Sequence, residues 1–307
     1  MQFKFSGFRR LGAGAMAAMT AVMFAPMALA EVIGQPVDRA IGLQPAATQI
    51  RADQIWFHNT ILLPIIIGIS TLVLGLLLIV MVRFNRRANP TPARWSHNTP
   101  IEVLWTIGPV LILMVVAIFS FRLLFEEHDM GRADLTVKVT GRQWNWDYEL
   151  PDQKVAAYTS TLMKVSDAQA AGLPYQLATN APLYVPVNKT VRVQVTAEDV
   201  IHSFSVPAFG IKIDAIPGRL NETWFKATRV GVYYGQCSQL CGIDHSFMPI
   251  EVHVVSQADF DAWVASKQPK PTVVASAAPE AVPAPAAAAA PAATTTSAAP
   301  ATAPAVH

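Results

Sequence analysis

"YYGQCSQLCGIDHSFMPI", Tyr233 to Ile250, places the only two cysteines of the chain four residues apart and follows them with a histidine and a methionine. Outside a reducing compartment two cysteines ordinarily pair. A bond between Cys237 and Cys241 would close only a very small loop, with little entropic gain and demanding geometry, and would leave His245 and Met248 without a role. A metal site uses all four. Thiolate, imidazole and thioether are soft to borderline ligands that select copper over magnesium or calcium. Zinc competes once a second histidine is found, and "AEDVIHSFSVP" supplies His202 after a strand and before a proline-marked turn. The thioether argues for copper. A mononuclear blue-copper site uses one cysteine, two histidines and a weak axial methionine, so one cysteine is left over here. Two thiolates can instead bridge two copper ions.

Upstream of this stretch the pattern has period two. "LTVKVTG" alternates Leu135, Val137 and Val139 with Thr136, Lys138 and Thr140, and "VRVQVTA" and "IEVHVVS" repeat the alternation. Turn signals at Pro151, before Val191 and at Pro217 separate the runs. Residues 131–266 therefore read as one all-β sandwich or barrel domain.

Before that domain the chain is continuously apolar in two places. Gln54 to Val82 and Val103 to Phe121 contain no Asp, Glu, Lys or Arg, and about 20 apolar residues suffice to span a bilayer. A transmembrane hairpin is expected over 54–125, with helices at about 56–82 and 101–123. Its connection carries Arg83, Arg86, Arg87 and Arg94 and no acid, which places it in the cytoplasm and the β domain outside. Residues 1–30 have a basic start, an apolar run and "ALA" before Glu31, the pattern of a secretory signal peptide, leaving 31–53 as a short outer segment. Removing its three basic residues takes the formal charge from +2 to −1, without the basic excess of a nucleic-acid binder. Residues 267–307 are rich in Pro and Ala, have no aromatics and read as a disordered tail.

In order along the chain, "IEVLWTIGPV", "GRQWNWDYELPD", "AEDVIHSFSVPAFGIKIDAIPGRLNE" and "GQCSQLCGIDHSFMPI" resemble subunit II of the haem-copper cytochrome c oxidases, with its dinuclear CuA centre. The resemblance runs from about Gln54 to Val255. It implies a two-helix transmembrane hairpin plus a cupredoxin-like β domain in a bacterial inner membrane, with the domain on the periplasmic side. Implied partners are subunits I and III, cytochrome c and the lipid bilayer. A quinol oxidase subunit II would share the fold but lack the copper ligands. A nitrous oxide reductase would be a larger soluble chain, and a free blue-copper carrier would need neither the second cysteine nor two spans.

Carried over by position, the resemblance implies that Cys237 and Cys241 bridge two coppers. His202 and His245 give one imidazole each, Met248 is a weak ligand and the backbone carbonyl of Gln239 is the last. Relatives usually have glutamate at that position, reaching a magnesium or manganese ion at the contact with subunit I. Gln239 brings no charge, so affinity for such an ion should fall. The resemblance further gives Trp144 as the point where electrons arrive from cytochrome c, and Glu102 as a proton entrance. Strand alternation alone puts Trp144, Trp146 and Tyr148 on one face and reads as core, and a lone Glu102 also reads as a flank residue reaching water. His128 and His253 read as solvated. Residues 131–266 hold 13 acidic and 11 basic residues. Glu149, Asp152, Glu198 and Asp199 are the candidate docking acids for a basic donor, alongside their reading as ordinary surface.

Overall fold

The computed structural model describes residues 33–268. The expected signal peptide and nearly all of the expected tail lie outside them. Two helices, α1 (Gln49–Arg83) and α2 (Thr99–His128), are long and apolar enough to cross a membrane, and their spanning windows are unburied. At 1.5 Å per residue they measure about 50 and 45 Å, well beyond the roughly 30 Å hydrocarbon core. Both overrun the expected spans at the domain end, because their first and last turns there dock on protein. Thr48 caps α1 by accepting from Arg51 N at 3.1 Å, Ile50 is buried, and Gln54 Nε2 donates to Gly210 O and to Glu127 Oε1, each at 2.8 Å. Residues 49–53, expected to belong to the short outer segment before the first span, are therefore already helical. A π-helical turn, His58–Leu62, precedes Pro64 and absorbs the irregularity its ring imposes. At the start of α2, Asn98 accepts from Ile101 N at 3.3 Å while the Glu102 carboxylate accepts from Asn98 N at 3.1 Å. Glu102 thus has a capping role the sequence reading did not assign.

The β domain has ten strands in two five-stranded sheets. The first sheet runs β3 (Val155–Ser160), β2 (Asn145–Leu150), β1 (Leu135–Arg142), β5 (Val191–Ala197), β8 (Asn221–Phe225). The second runs β4 (Leu183–Pro186), β10 (Pro249–Val255), β9 (Gly231–Cys237), β6 (His202–Val206), β7 (Ile211–Ala215). The alternation in the sequence becomes the two inner faces. Val137 pairs with Val193 in the parallel β1–β5 ladder, and the inward residues of both strands are buried. Trp146, Tyr148, Phe204, Phe209 and Phe225 fill the space between the sheets, each large apolar side chain contributing about 1.5–3 kcal/mol.

Two features were not anticipated. A short helix, α3 (Val165–Ala170), interrupts the loop after β3, and α4 (Gln257–Lys267) closes the domain one residue past its expected end. The Ser256 hydroxyl caps α4 by accepting from Asp259 N at 3.2 Å, buried Phe260 anchors it, and Trp263 stacks on Tyr184 at 5.1 Å. Residues before α1 also run along the domain. Tyr234 N donates to Gly34 O at 2.7 Å, and Thr228 N to Ala47 O at 2.9 Å.

His253, expected to be solvated, is only partly exposed. Its Nε2 lies 2.8 Å from Oε1 of Glu251, a buried carboxylate that also accepts from Thr179 N and Oγ1. The alternation places 251 and 253 on one face, but α3's loop and Tyr184 cover that face. His128 is exposed, as expected.

Candidate metal centre

Cys237 ends β9, His202 begins β6, and Cys241, His245 and Met248 follow in the loop to β10. Antiparallel pairing sets Phe204 opposite Cys237, which brings His202 over the end of β9 although it lies 35 residues away. Gly141 on β1 makes room for the imidazole, since a Cβ there would come within 3.0 Å of the His202 ring and 3.1 Å of Trp146.

The donor atoms form two halves. Cys237 Sγ lies 3.9 Å from His202 Nδ1 and 3.3 Å from the Gln239 carbonyl oxygen. Cys241 Sγ lies 3.5 Å from His245 Nδ1 and 3.6 Å from Met248 Sδ. The two sulfurs are 3.9 Å apart and unbonded, against about 2.05 Å for a disulfide. The ligand atoms of His202, Cys237 and Cys241 lie within 4.8 Å of one another, and all three residues are buried. Every residue named for copper from the sequence therefore converges on one place. Two thiols, two imidazoles, a thioether and a carbonyl suit a soft cation, and the pairing gives each sulfur its own imidazole.

The electrostatics separate the two thiols. Burial opposes ionisation of Cys237, but hydrogen bonding to His202, to the backbone of Gln239 and Ser203 and to Cys241 outweighs it and lowers the thiol to about 6. Burial and the neighbouring Cys237 thiolate push Cys241 up to about 12. Burial would depress His202, yet its contacts with Cys237 and Asp199 raise it. Asp199 falls below the usual carboxylate range, because hydrogen bonds from His202 and from the amides of Gln143 and Val200 overcome its desolvation.

Trp144 is not on the strand face with Trp146 and Tyr148. It occupies the two-residue turn between β1 and β2, half-buried, whereas Trp146, Tyr148 and Leu150 alternate inward and are fully buried. Period-two reading failed there because it carried the strand two residues too far. The turn is tied to the ligand loop. Gln143 Nε2 donates to Cys241 O at 2.8 Å, and Trp144 packs so closely on Gly242 (φ +130°) that a Cβ would meet its ring at 2.9 Å. Trp146 donates from Nε1 to Met248 O at 3.1 Å and meets the His202 ring edge-on at 5.9 Å. That supporting role was missed in the sequence.

All four candidate docking acids are engaged within the chain. Glu198 pairs with Arg142 at 2.7 Å, Asp199 with His202 at 2.9 Å and Glu149 with Lys138 at 3.2 Å, while Asp152 accepts from Thr136 N at 3.0 Å. Arg142 is opposite Asn145 and Lys138 opposite Glu149, so at about 3.3 Å per residue Glu149 lies well over 10 Å along β2 from the Trp144 turn. Glu149 and Asp152 therefore do not cluster with Trp144, as their nearness in sequence suggested. Gln239 is exposed, and the same loops present Ile201, Leu240, Ile243 and Phe247 to solvent.

Residues 36–123 match the family model "Cytochrome C oxidase subunit II, transmembrane domain", and residues 135–255 match "Cytochrome C oxidase subunit II, periplasmic domain". A probable cytochrome c oxidase subunit 2 of Rickettsia bellii is 48% identical over 236 residues, spanning 76% of this chain and 86% of that one. Cytochrome c oxidase subunit 2 of Cereibacter sphaeroides is 42% identical over 269 residues, spanning 82% and 88%. The crystal structure of the periplasmic domain of subunit II of cytochrome oxidase of Bradyrhizobium japonicum is 53% identical, covers 45% of this chain and 96% of that one, and superposes with a TM-score of 0.42.

Proposed function

This chain belongs to the cytochrome c oxidase subunit II family, and from that premise we propose that it takes electrons from cytochrome c on the periplasmic side and delivers them to subunit I. It is a component of a haem-copper oxidase, whose oxygen chemistry resides in subunit I. The observation that carries the reading is the pairing of each cysteine sulfur with its own imidazole across a 3.9 Å gap between unbonded sulfurs. Two copper ions held there would supply a one-electron relay with the charge shared between them.

The residues divide the work. Cys237 and Cys241 would supply the thiolates, His202 and His245 the imidazoles, and Met248 and the Gln239 carbonyl the weaker donors that hold the two ions. Asp199 and Trp146 fix His202 and the Met248 backbone, so little needs to reorganise when charge changes. Trp144, resting on the ligand loop, is the proposed point of arrival for electrons. Around it, Ile201, Ile243 and Phe247 offer apolar contact to a partner and Glu198 offers charge. The β domain faces outward because the arginine-rich connection between the helices faces the cytoplasm. Subunit III is the further expected neighbour.

Two family roles are proposed in weakened form. Gln239 in place of an acid lowers affinity for magnesium or manganese at the subunit I contact, so Gln239→Glu should raise manganese occupancy while copper stays unchanged. Glu102 serves as helix cap, and a proton-entrance role is a separate proposal. Glu102→Gln keeps an acceptor for Asn98 N and removes the proton, so slowed proton uptake with an intact fold would support it.

The principal test is the copper-to-protein ratio and visible spectrum of the outer domain. Two coppers per chain and an electron spin delocalised over both are expected, and Cys237→Ser or Cys241→Ser should abolish or convert the site. One tightly bound zinc per domain would refute the reading.

A further inference from the structure

A cavity of about 190 Å³ lies between α1 and α2 at their domain end, lined by Asp53, Trp56, Phe57, Phe119, Arg122 and Glu126 among others. Its depth is set by the sequence. Asp53 immediately precedes the charge-free run that begins at Gln54, and Arg122 immediately follows the one that ends at Phe121, so the cavity sits where hydrocarbon gives way to headgroups. Trp56 is half exposed, and its ring lies 6.2 Å from that of Phe119, forming an aromatic wall.

The charged groups in this cavity do not satisfy one another. Among the described residues Arg122 and Glu126 take part in no ion pair or side-chain hydrogen bond, and the Asp53 carboxylate accepts only from the Gln49 amide, at 3.1 and 3.2 Å. Ionised groups at the edge of a low-dielectric layer gain from a partner of opposite charge. One guanidinium and two carboxylates around one cavity complement a ligand with a phosphate and an ammonium a few ångströms apart. A purely anionic headgroup would meet two like charges.

We propose that this cavity holds the headgroup of a zwitterionic aminophospholipid. Arg122 takes the phosphate, for which a guanidinium has matching geometry. Asp53 and Glu126 take the ammonium, with the Trp56 and Phe119 rings beside it and against the glycerol and upper acyl chain. The proposal rests on the hairpin spanning a membrane and is independent of electron transfer.

The test uses the intact oxidase, washed free of loosely held lipid and examined by native mass spectrometry with phosphatidylethanolamine or phosphatidylglycerol added back. Wild type should retain one phosphatidylethanolamine more than Arg122→Gln or the Asp53→Asn/Glu126→Gln pair. Arg122→Lys should restore it in part, and phosphatidylglycerol should show no such difference. Wild-type preference for the amine lipid is read without any variant, so a failure of assembly does not hide the answer. Equal retention in wild type and variants overturns the proposal, as does preference for phosphatidylglycerol. So does loss of a neighbouring subunit with the lipid count unchanged, which would make the cavity a protein contact.

Discussion

Oδ1 of Asp199 lies 2.9 Å from Nε2 of His202, whose other ring nitrogen faces Cys237 Sγ at 3.9 Å. A carboxylate on one nitrogen fixes the proton there and leaves the other free to offer its lone pair to a metal ion held beside the sulfur. Asp199 therefore acts on the ligand shell from within the domain, a role its place in a surface acidic cluster did not suggest. Asp199→Ala should lower copper affinity about 10–100-fold, measured by competition with a chelator, whereas Glu149→Ala should leave it unchanged. Equal affinities would return Asp199 to the surface.

The two thiols should titrate far apart in the copper-free domain. Cys237 is lowered to about 6 and Cys241 pushed up to about 12. As pH rises through 6, one thiolate should appear in ultraviolet absorbance, and the second should stay protonated through neutrality. A lowered folded pKa favours the folded state above the free thiol's range and loses that contribution as pH falls through 6, and the raised Cys241 acts in the opposite sense. Cys237→Ser should remove the first step and bring Cys241 down, since the Cys237 charge is among the causes of its elevation.

The two neighbouring tryptophans should separate function from stability. Trp146 is fully buried, and Trp146→Ala should cost about 3–5 kcal/mol of domain stability with loss of the copper site. Trp144 is half-buried in a turn. Trp144→Ala should leave the urea midpoint close to wild type and slow electron transfer from cytochrome c far more than it weakens binding. A Trp144 variant that unfolds or loses copper would make that residue structural.

Arg142 holds Asp147 at 3.0 Å and Glu198 at 2.7 Å beside the Trp144 turn. A basic partner must compete with this guanidinium for the same carboxylates. Arg142→Gln should tighten cytochrome c binding several-fold at low ionic strength, with the gain shrinking as salt rises. The exposed pair with Glu198 contributes at most about 1 kcal/mol, and the less exposed Asp147 keeps Thr159 Oγ1 as a donor at 2.6 Å, so melting should change little. Weaker binding in the variant would mean that Arg142 itself contacts the donor.

Glu251 links the loop after β3 to β10 through Thr179 and His253. Glu251→Ala leaves a buried amide and hydroxyl without their acceptor, at a cost of about 1–3 kcal/mol. Urea unfolding should report that loss while copper binding is kept, and an unchanged midpoint would show that the loop is held by other contacts.

Local pattern determined much of this protein. Charge-free runs of sufficient length demand helices that satisfy their own backbone in lipid, and period-two alternation gave Val137, Val193 and Val252 their inward faces. The donors Cys237, Cys241, His245 and Met248 sit within twelve residues, so the nature of the site was legible before any fold. Tertiary structure decided what depends on strand pairing and on exact strand ends. The β6–β9 register carried His202 to Cys237, and the turn at Gln143 and Trp144 took Trp144 off the strand and laid it on Gly242. The length of β2 removed Glu149 and Asp152 from the neighbourhood their numbering implied. Asp199, three residues before His202, is held against it by the Gln143 amide from 56 positions away, and Glu251 is buried beneath Thr179 from 72 positions away. Periodicity reports the face a residue occupies on its own element, and only the packed chain reports what is brought against that face.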